Sequence, residues 1–230
     1  MKYEAVIFDL FGTLVPALPY REYRLVLGRM ASTLSIPVDD FNRIWFETSQ
    51  ERNTGVMLTI EANIEHVCKE LGTRTGDDEI RRAMRIRIDF VTRIMQPRPD
   101  AIEVLSRLKS QGFKIGLISN CSADTPVIWQ DTPFVPFFDV TIFSSSVGMK
   151  KPDPRIYSLA MGQLGVKPED CLYVGDGASQ ELAGAARVGM NPVLIKVLDE
   201  DFDDALPEDA REEWDGPTVS SLTAVLSLVE

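Results

Sequence analysis

Asp9 stands where an apolar run, Ala5–Phe8, gives way to a turn made of Leu10, Phe11, Gly12 and Thr13. A strand ending there brings one carboxylate to its mouth, placed to attack an electrophile. Polar clusters recur at the ends of three later apolar runs: Ser119 with Asn120, Lys151 with Pro152, and Gly175 with Asp176. Four strand ends carrying Asp, Ser, Lys and Asp make one site, with a nucleophile, a hydroxyl donor, a compact cation and a second acid.

The elements that must position these groups are legible as a pattern. Runs rich in Val and Ile at Ala5–Phe8, 114–118, Val140–Phe143, 172–174 and 192–195 alternate with helical periodicity. Strands of a parallel sheet covered on both faces look like this. Asp100 is expected to cap a helix with Ile102, Leu105 and Leu108 inward. Asp153 and Pro154 open another, which closes at Gly165. The fold class is therefore α/β, a Rossmann-like doubly wound parallel sheet, with ligands expected beyond the carboxyl ends of its strands. Between Pro16 and Pro99 no strand-like run occurs. Tyr20, Tyr23, Leu27, Met30 and Leu34 form one helical stripe, and similar stripes run through Trp45, Ile64 and Ile88. This predicts an all-helical domain at 16–96 inserted into a core made of 1–15 and 97–230, with proline-rich joints acting as a two-stranded hinge.

Bulk properties narrow the function classes. A chain of 230 residues with 44% hydrophobic content can bury a substantial core. Its net charge of −11 argues against nucleic acid as a partner. No apolar stretch approaches membrane-spanning length, and no basic segment with an apolar region precedes the first strand, so no membrane association and a cytoplasmic setting are expected. Cys68, Cys121 and Cys171 lack metal-type spacing and read as buried free thiols. The acid-rich stretch 199–215, opposed only by Arg211, reads as a solvated loop. Trp129, Phe134, Pro136, Phe137 and Phe138 read as packing beside the third strand, with a homodimer surface as the alternative.

Four strings in order, FDLFGTL at 8–14, ISN at 118–120, GMKKPDP at 148–154 and VGDGASQE at 174–181, resemble the motifs of the haloacid dehalogenase-like hydrolase superfamily, in its helical-cap subgroup. The resemblance spans nearly the whole chain, and it is the coincidence of all four strings that is specific. It implies Asp9 as nucleophile and Lys151, rather than its neighbour Lys150, as the stabilising cation. Thr13, Ser119 and Asn120 are implied to contact the transferring group or orient substrate. It further implies a metal held by Asp9, the Phe11 carbonyl and Asp176, with Glu181 behind or bridged through water. Electrostatics point the same way. Asp9, Asp176 and Glu181 against Lys151 leave an excess of two negative charges, which a dication such as Mg2+ would cancel.

The phosphatases of this superfamily carry a second Asp two residues after the nucleophile to protonate the leaving group, and here that residue is Phe11. An aromatic there resembles the dehalogenases, as does Tyr157. The dehalogenase Ser-Ser-Asn string is replaced by Gly175, Asp176 and Gly177, and Asp40 falls near the place of their early cap arginine. The reading is a Mg2+-dependent phosphatase or phosphotransferase acting on a small anionic metabolite. The alternatives are a metal-independent 2-haloacid dehalogenase and a non-catalytic binding member. In the cap, Arg52, on a polar loop at 50–55, is a candidate contact for an anionic substrate, whereas His66, the only histidine, reads as a rim or core residue.

Overall fold

The computed structural model describes residues 2–197 and 211–229. Six parallel strands, β1 (Ala5–Phe8), β2 (Lys114–Ser119), β3 (Val140–Phe143), β4 (Cys171–Gly175), β5 (Asn191–Ile195) and β6 (Thr218–Val219), lie in the order β3-β2-β1-β4-β5-β6. The five strands expected from the sequence are all present. β6 was not foreseen, because two residues are too few to show a period.

The sheet is covered on both sides, as its apolar runs require. Val6 and Phe8 of β1 point into one apolar cluster with Leu105 and Leu108 of α6 (Ala101–Ser110). Ala5 and Ile7 point into the other, with Ile156 and Ala160 of α9 (Pro154–Leu164) and Leu182 of α10 (Glu181–Arg187). α9 begins and ends as expected, since the Asp153 side chain accepts from the Arg155 N–H and Gly165 closes the helix with φ +63°. Asp100 behaves differently. Its carboxylate makes no cap bond to α6 and instead accepts from the amide and hydroxyl of Thr223, tying the start of α6 to that of α11 (Thr223–Val229).

Between β1 and α6 the chain makes five helices and no strand: α1 (Tyr20–Thr33), α2 (Val38–Glu47), α3 (Ser49–Asn53), α4 (Ile60–Glu70) and α5 (Asp77–Ile94). Their stripes meet around Tyr23, whose hydroxyl accepts from the Trp45 indole at 2.5 Å and whose ring stacks on Phe90. The aromatic cluster of the core packs on itself, with Trp129 stacked on Phe134 and edge-on to Phe138 and Phe143. Trp129 and Phe134 are buried, so these two rings belong to the interior rather than to a dimer surface. No helix among the described residues is long and apolar enough to cross a membrane.

Two buried arginines tie the helical insert and its joint to the sheet. Arg87 of α5 pairs with Asp124 of α7 (Asp124–Trp129) at 2.5 Å. Arg98, in the joint after α5, donates to the carbonyls of Thr13 and Gly12 at 2.8 and 2.9 Å. Replacing Arg98 with Met leaves two buried carbonyls without their charged donor. It is expected to lower unfolding free energy by about 2–4 kcal/mol, read by urea titration, and an unchanged midpoint would contradict this role.

Candidate active site

A doubly wound sheet opens a crevice where its strand order reverses, and here that point lies between β1 and β4. The register pairs Phe8 with Val174, so Asp9 and Asp176 leave adjacent strand ends side by side. The Asp9 amide donates to the Val174 carbonyl at 2.9 Å, which fixes the first residue of the loop. Gly12 makes the approach feasible. It has φ +81°, and a Cβ there would fall 2.2 Å from Asp176 Oδ2.

Lys151 lies between the carboxylates. Its Nζ is 2.5 Å from Asp9 Oδ1 and 2.5 Å from Glu181 Oε2, and it also donates to the Tyr173 hydroxyl at 3.2 Å. Tyr173 in turn donates to Glu181 Oε2 at 2.7 Å, and the Gly177 amide donates to Oε1 at 3.1 Å. Both oxygens of Glu181 are therefore engaged. The Tyr157 hydroxyl donates to the Glu181 carbonyl at 2.9 Å, so Tyr157 is a core residue that braces this loop. Asn120 braces Lys151 from the other side, accepting from its amide at 2.8 Å and donating to its carbonyl at 3.1 Å.

Each charge in this cluster feels the others at low dielectric. Burial opposes the charge of Lys151, but Asp9 and Glu181 outweigh it and hold its pKa above the ordinary lysine value. Burial raises the Asp9 carboxyl, with Lys151 pulling it down and Asp176 pushing it up. Burial likewise pushes Glu181 up to about 8, with Lys151 opposing and the two aspartates adding to the rise. A nucleophilic carboxylate must be ionised, and further positive charge beside it favours that form.

The structure supplies one such charge that was read as solvated. Arg211 Nη2 is 2.7 Å from Asp176 Oδ2, and Arg211 lines the same cavity as Asp9 and Lys151. Sequence reasoning missed it because the surrounding acids suggested a solvated segment. Most of that segment, 198–210, lies outside the described residues. With Arg211 included, the excess is one negative charge rather than two.

The oxygen donors suit a hard cation. Ligand atoms of Asp9, Asp176 and Glu181 lie within 4.8 Å of one another, and Asp9 and Asp176 line the cavity. The cavity, about 180 Å³, is roofed by Arg52, Asn53 and Ser49 of α3 and walled by Phe11, Leu18 and Val91. Arg52 is on a short helix rather than the expected loop, and it is buried with its guanidinium 4.2 Å from the Trp45 ring. Thr13 and Ser119 are fully buried, and neither lines the cavity; their hydroxyls have no partner among the described residues. His66 is half-buried on α4, away from the cavity.

Cys121 does line the cavity, but burial pushes its thiol up to about 12, and all three cysteines are buried. Burial therefore disfavours the thiolate, the form that reacts. Native protein is expected to react with a thiol-specific disulfide reagent only at the rate of unfolding, and one fast-reacting thiol would contradict this.

Comparison with known proteins agrees with this geometry. A family model described as haloacid dehalogenase-like hydrolase matches residues 3–189. A glyceraldehyde 3-phosphate phosphatase of Methanopyrus kandleri is 36% identical over 105 residues, a match spanning 44% of each chain and so less than half of that enzyme's length. (S)-2-haloacid dehalogenase 4A of Burkholderia cepacia is 26% identical over 196 residues, covering 83% of this chain and 82% of that one. The crystal structure of a 2-haloacid dehalogenase from Pseudomonas syringae pv. tomato superposes with a TM-score of 0.73 at 20% identity, covering 99% and 98% of the two chains, a likeness of fold. With four motifs meeting at one crevice and the family matched along most of its length, the chain belongs to the haloacid dehalogenase-like hydrolases.

Proposed function

We propose that this hydrolase is a Mg2+-dependent phosphatase or phosphotransferase acting on a small phosphorylated metabolite through an aspartyl phosphate at Asp9. The observation that carries the reading is the pair Asp9 and Asp176, two carboxylates that face one cavity from adjacent strands. A halide departs without a proton or a metal, so dehalogenation does not call for a cation held beside the two carboxylates. Phe11 favours dehalogenation as the second reading, because a halide needs no proton on departure.

Asp9 attacks phosphorus, the bond to the leaving oxygen breaks, and the phosphoryl group becomes an acyl phosphate on Asp9. Water then attacks that phosphorus, releasing inorganic phosphate and restoring the carboxylate. Lys151 holds Asp9 ionised and balances charge as it grows on the phosphoryl oxygens. The orphaned hydroxyls of Thr13 and Ser119 lie behind the cavity wall, whereas Asn120 lines the cavity beside Lys151. Asp9 and Asp176, with the Phe11 carbonyl, would hold Mg2+, which neutralises the carboxylates and the phosphoryl oxygens together. Glu181, both of whose oxygens are engaged, acts as the anchor of Lys151. Arg52 meets the far, anionic end of the substrate. The acidic surface and buried thiols support a cytoplasmic setting with no nucleic-acid partner.

Phe11 leaves the departing group without an acid, so substrates that leave as stable anions, such as acyl phosphates, suit this site. Acetyl phosphate is expected to be hydrolysed faster than an alkyl phosphate, with activity lost on Mg2+ removal and in Asp9→Asn. Equal rates for the two substrates, or no metal requirement, would sink the proposal. Phe11→Asp is expected to speed alkyl phosphate hydrolysis by about 100-fold or more, and a folded variant with an unchanged rate would refute the missing-acid account. Arg52→Gln should raise KM by about tenfold with a smaller change in kcat, because its contact is made equally in ground and transition states. A loss confined to kcat would remove Arg52 from substrate binding.

A further inference from the structure

We propose that Arg211 is a built-in counter-cation that competes with the divalent ion for Asp176; this rests on the Mg2+ reading above and asks what the protein does with the site before the ion arrives.

Arg211 is held in place. It forms an antiparallel bridge with Ala178, and the next amide, that of Glu212, donates to the Gly177 carbonyl at 3.0 Å. The Glu212 carboxylate accepts from the amides of Leu182 and Ala183 at 2.7 and 3.1 Å, capping the first turn of α10. Two consecutive residues are thus stapled to the loop that carries Asp176 and Glu181. That loop is tightly coiled, with left-handed backbone at Gly177, Ser179 and Gln180.

Both oxygens of Asp176 are engaged. Oδ1 accepts from the Ala178 amide at 3.1 Å and Oδ2 from Arg211 at 2.7 Å. Oδ2 is also the oxygen turned toward the nucleophile loop, since a methyl group on Gly12 would sit 2.2 Å from it. The oxygen turned toward the nucleophile loop is therefore the one the guanidinium covers, and a cation that Asp9 and Asp176 would hold meets the guanidinium there. Charge leads to the same point. Lys151 and Arg211 leave one uncompensated carboxylate among Asp9, Asp176 and Glu181, so a dication added with the guanidinium still in place overshoots neutrality. Binding of the ion then requires the guanidinium to give up Oδ2, and the cost appears as weakened metal affinity. The Asp176 carboxylate is almost fully buried, with side-chain exposure of 4%, so the pair it makes is shielded from solvent on one side.

The test is calorimetric titration of Mg2+ into the substrate-free full chain. R211A and R211Q are expected to bind Mg2+ about tenfold tighter than the parent, whereas R211K, which keeps the charge, stays within about threefold. Equal or weaker binding by R211A and R211Q would overturn the competition while leaving the metal reading standing. No binding by parent or variants would overturn the metal reading and the competition with it. If R211A does not fold, the ranking of R211Q against R211K decides alone.

Discussion

The ammonium of Lys151, buried between Asp9 and Glu181, is the interaction on which the rest of the structure depends. Charges taken this far out of water are costly unless every partner is in place, and removing one member leaves the others uncompensated. Each surrounding feature supplies a partner. Asn120 clamps the Lys151 backbone, Tyr173 and the Gly177 amide fill the remaining sites on Glu181, and Tyr157 pins the Glu181 carbonyl. These contacts come from β2, β4 and α9, and a parallel sheet at its reversal of order brings them to one crevice. Close packing assists: a Cβ at Gly175 would fall 2.2 Å from Glu181 Oε1.

Charge is distributed in two ways in this molecule. The whole chain carries −11, yet five cationic side chains line the cavity against Asp9 and Asp176 in its wall and Asp124 and Glu181 paired behind it, which leaves one positive charge over. An acidic surface with a locally positive cavity focuses a small anion inward while repelling polyanions. On the proposed function, Arg52 is the member of this set that meets the anion. Its guanidinium stacks on Trp45 and donates to the Thr48 hydroxyl at 2.9 Å, so little side-chain freedom remains to be lost when an anion arrives.

How much of this was legible in the sequence follows from which features are local. β1 to β5 announced themselves because strands buried on both faces need unbroken apolar runs, and three of the four motifs fall at their ends; the one with Lys151, expected at the end of β3, follows the short helix α8 (Ser144–Val147) instead. The meeting of Asp9 and Asp176 at one cavity was foreseen for that reason. The burial of Arg52 was not, since α3 has five residues, too short for a period, and its partner Trp45 lies on the preceding helix. Arg211 was misread because composition averages over a segment, whereas its position depends on one bridge to Ala178. Asp100 looked like a cap by its place before α6, and only the tertiary arrangement reveals Thr223 as its partner. Local signals located the elements, and contacts between distant segments decided what the polar side chains do.

The central claim is that Asp9, held ionised by Lys151, takes the phosphoryl group covalently. The most direct measurement is peptide mapping by mass spectrometry after acid-quenching the Mg2+-loaded protein during turnover of acetyl phosphate. The account requires one added phosphoryl group on the peptide that contains Asp9, absent from the Asp9→Asn variant. Turnover without any modification there, or a phosphoryl group found on another residue, would contradict it.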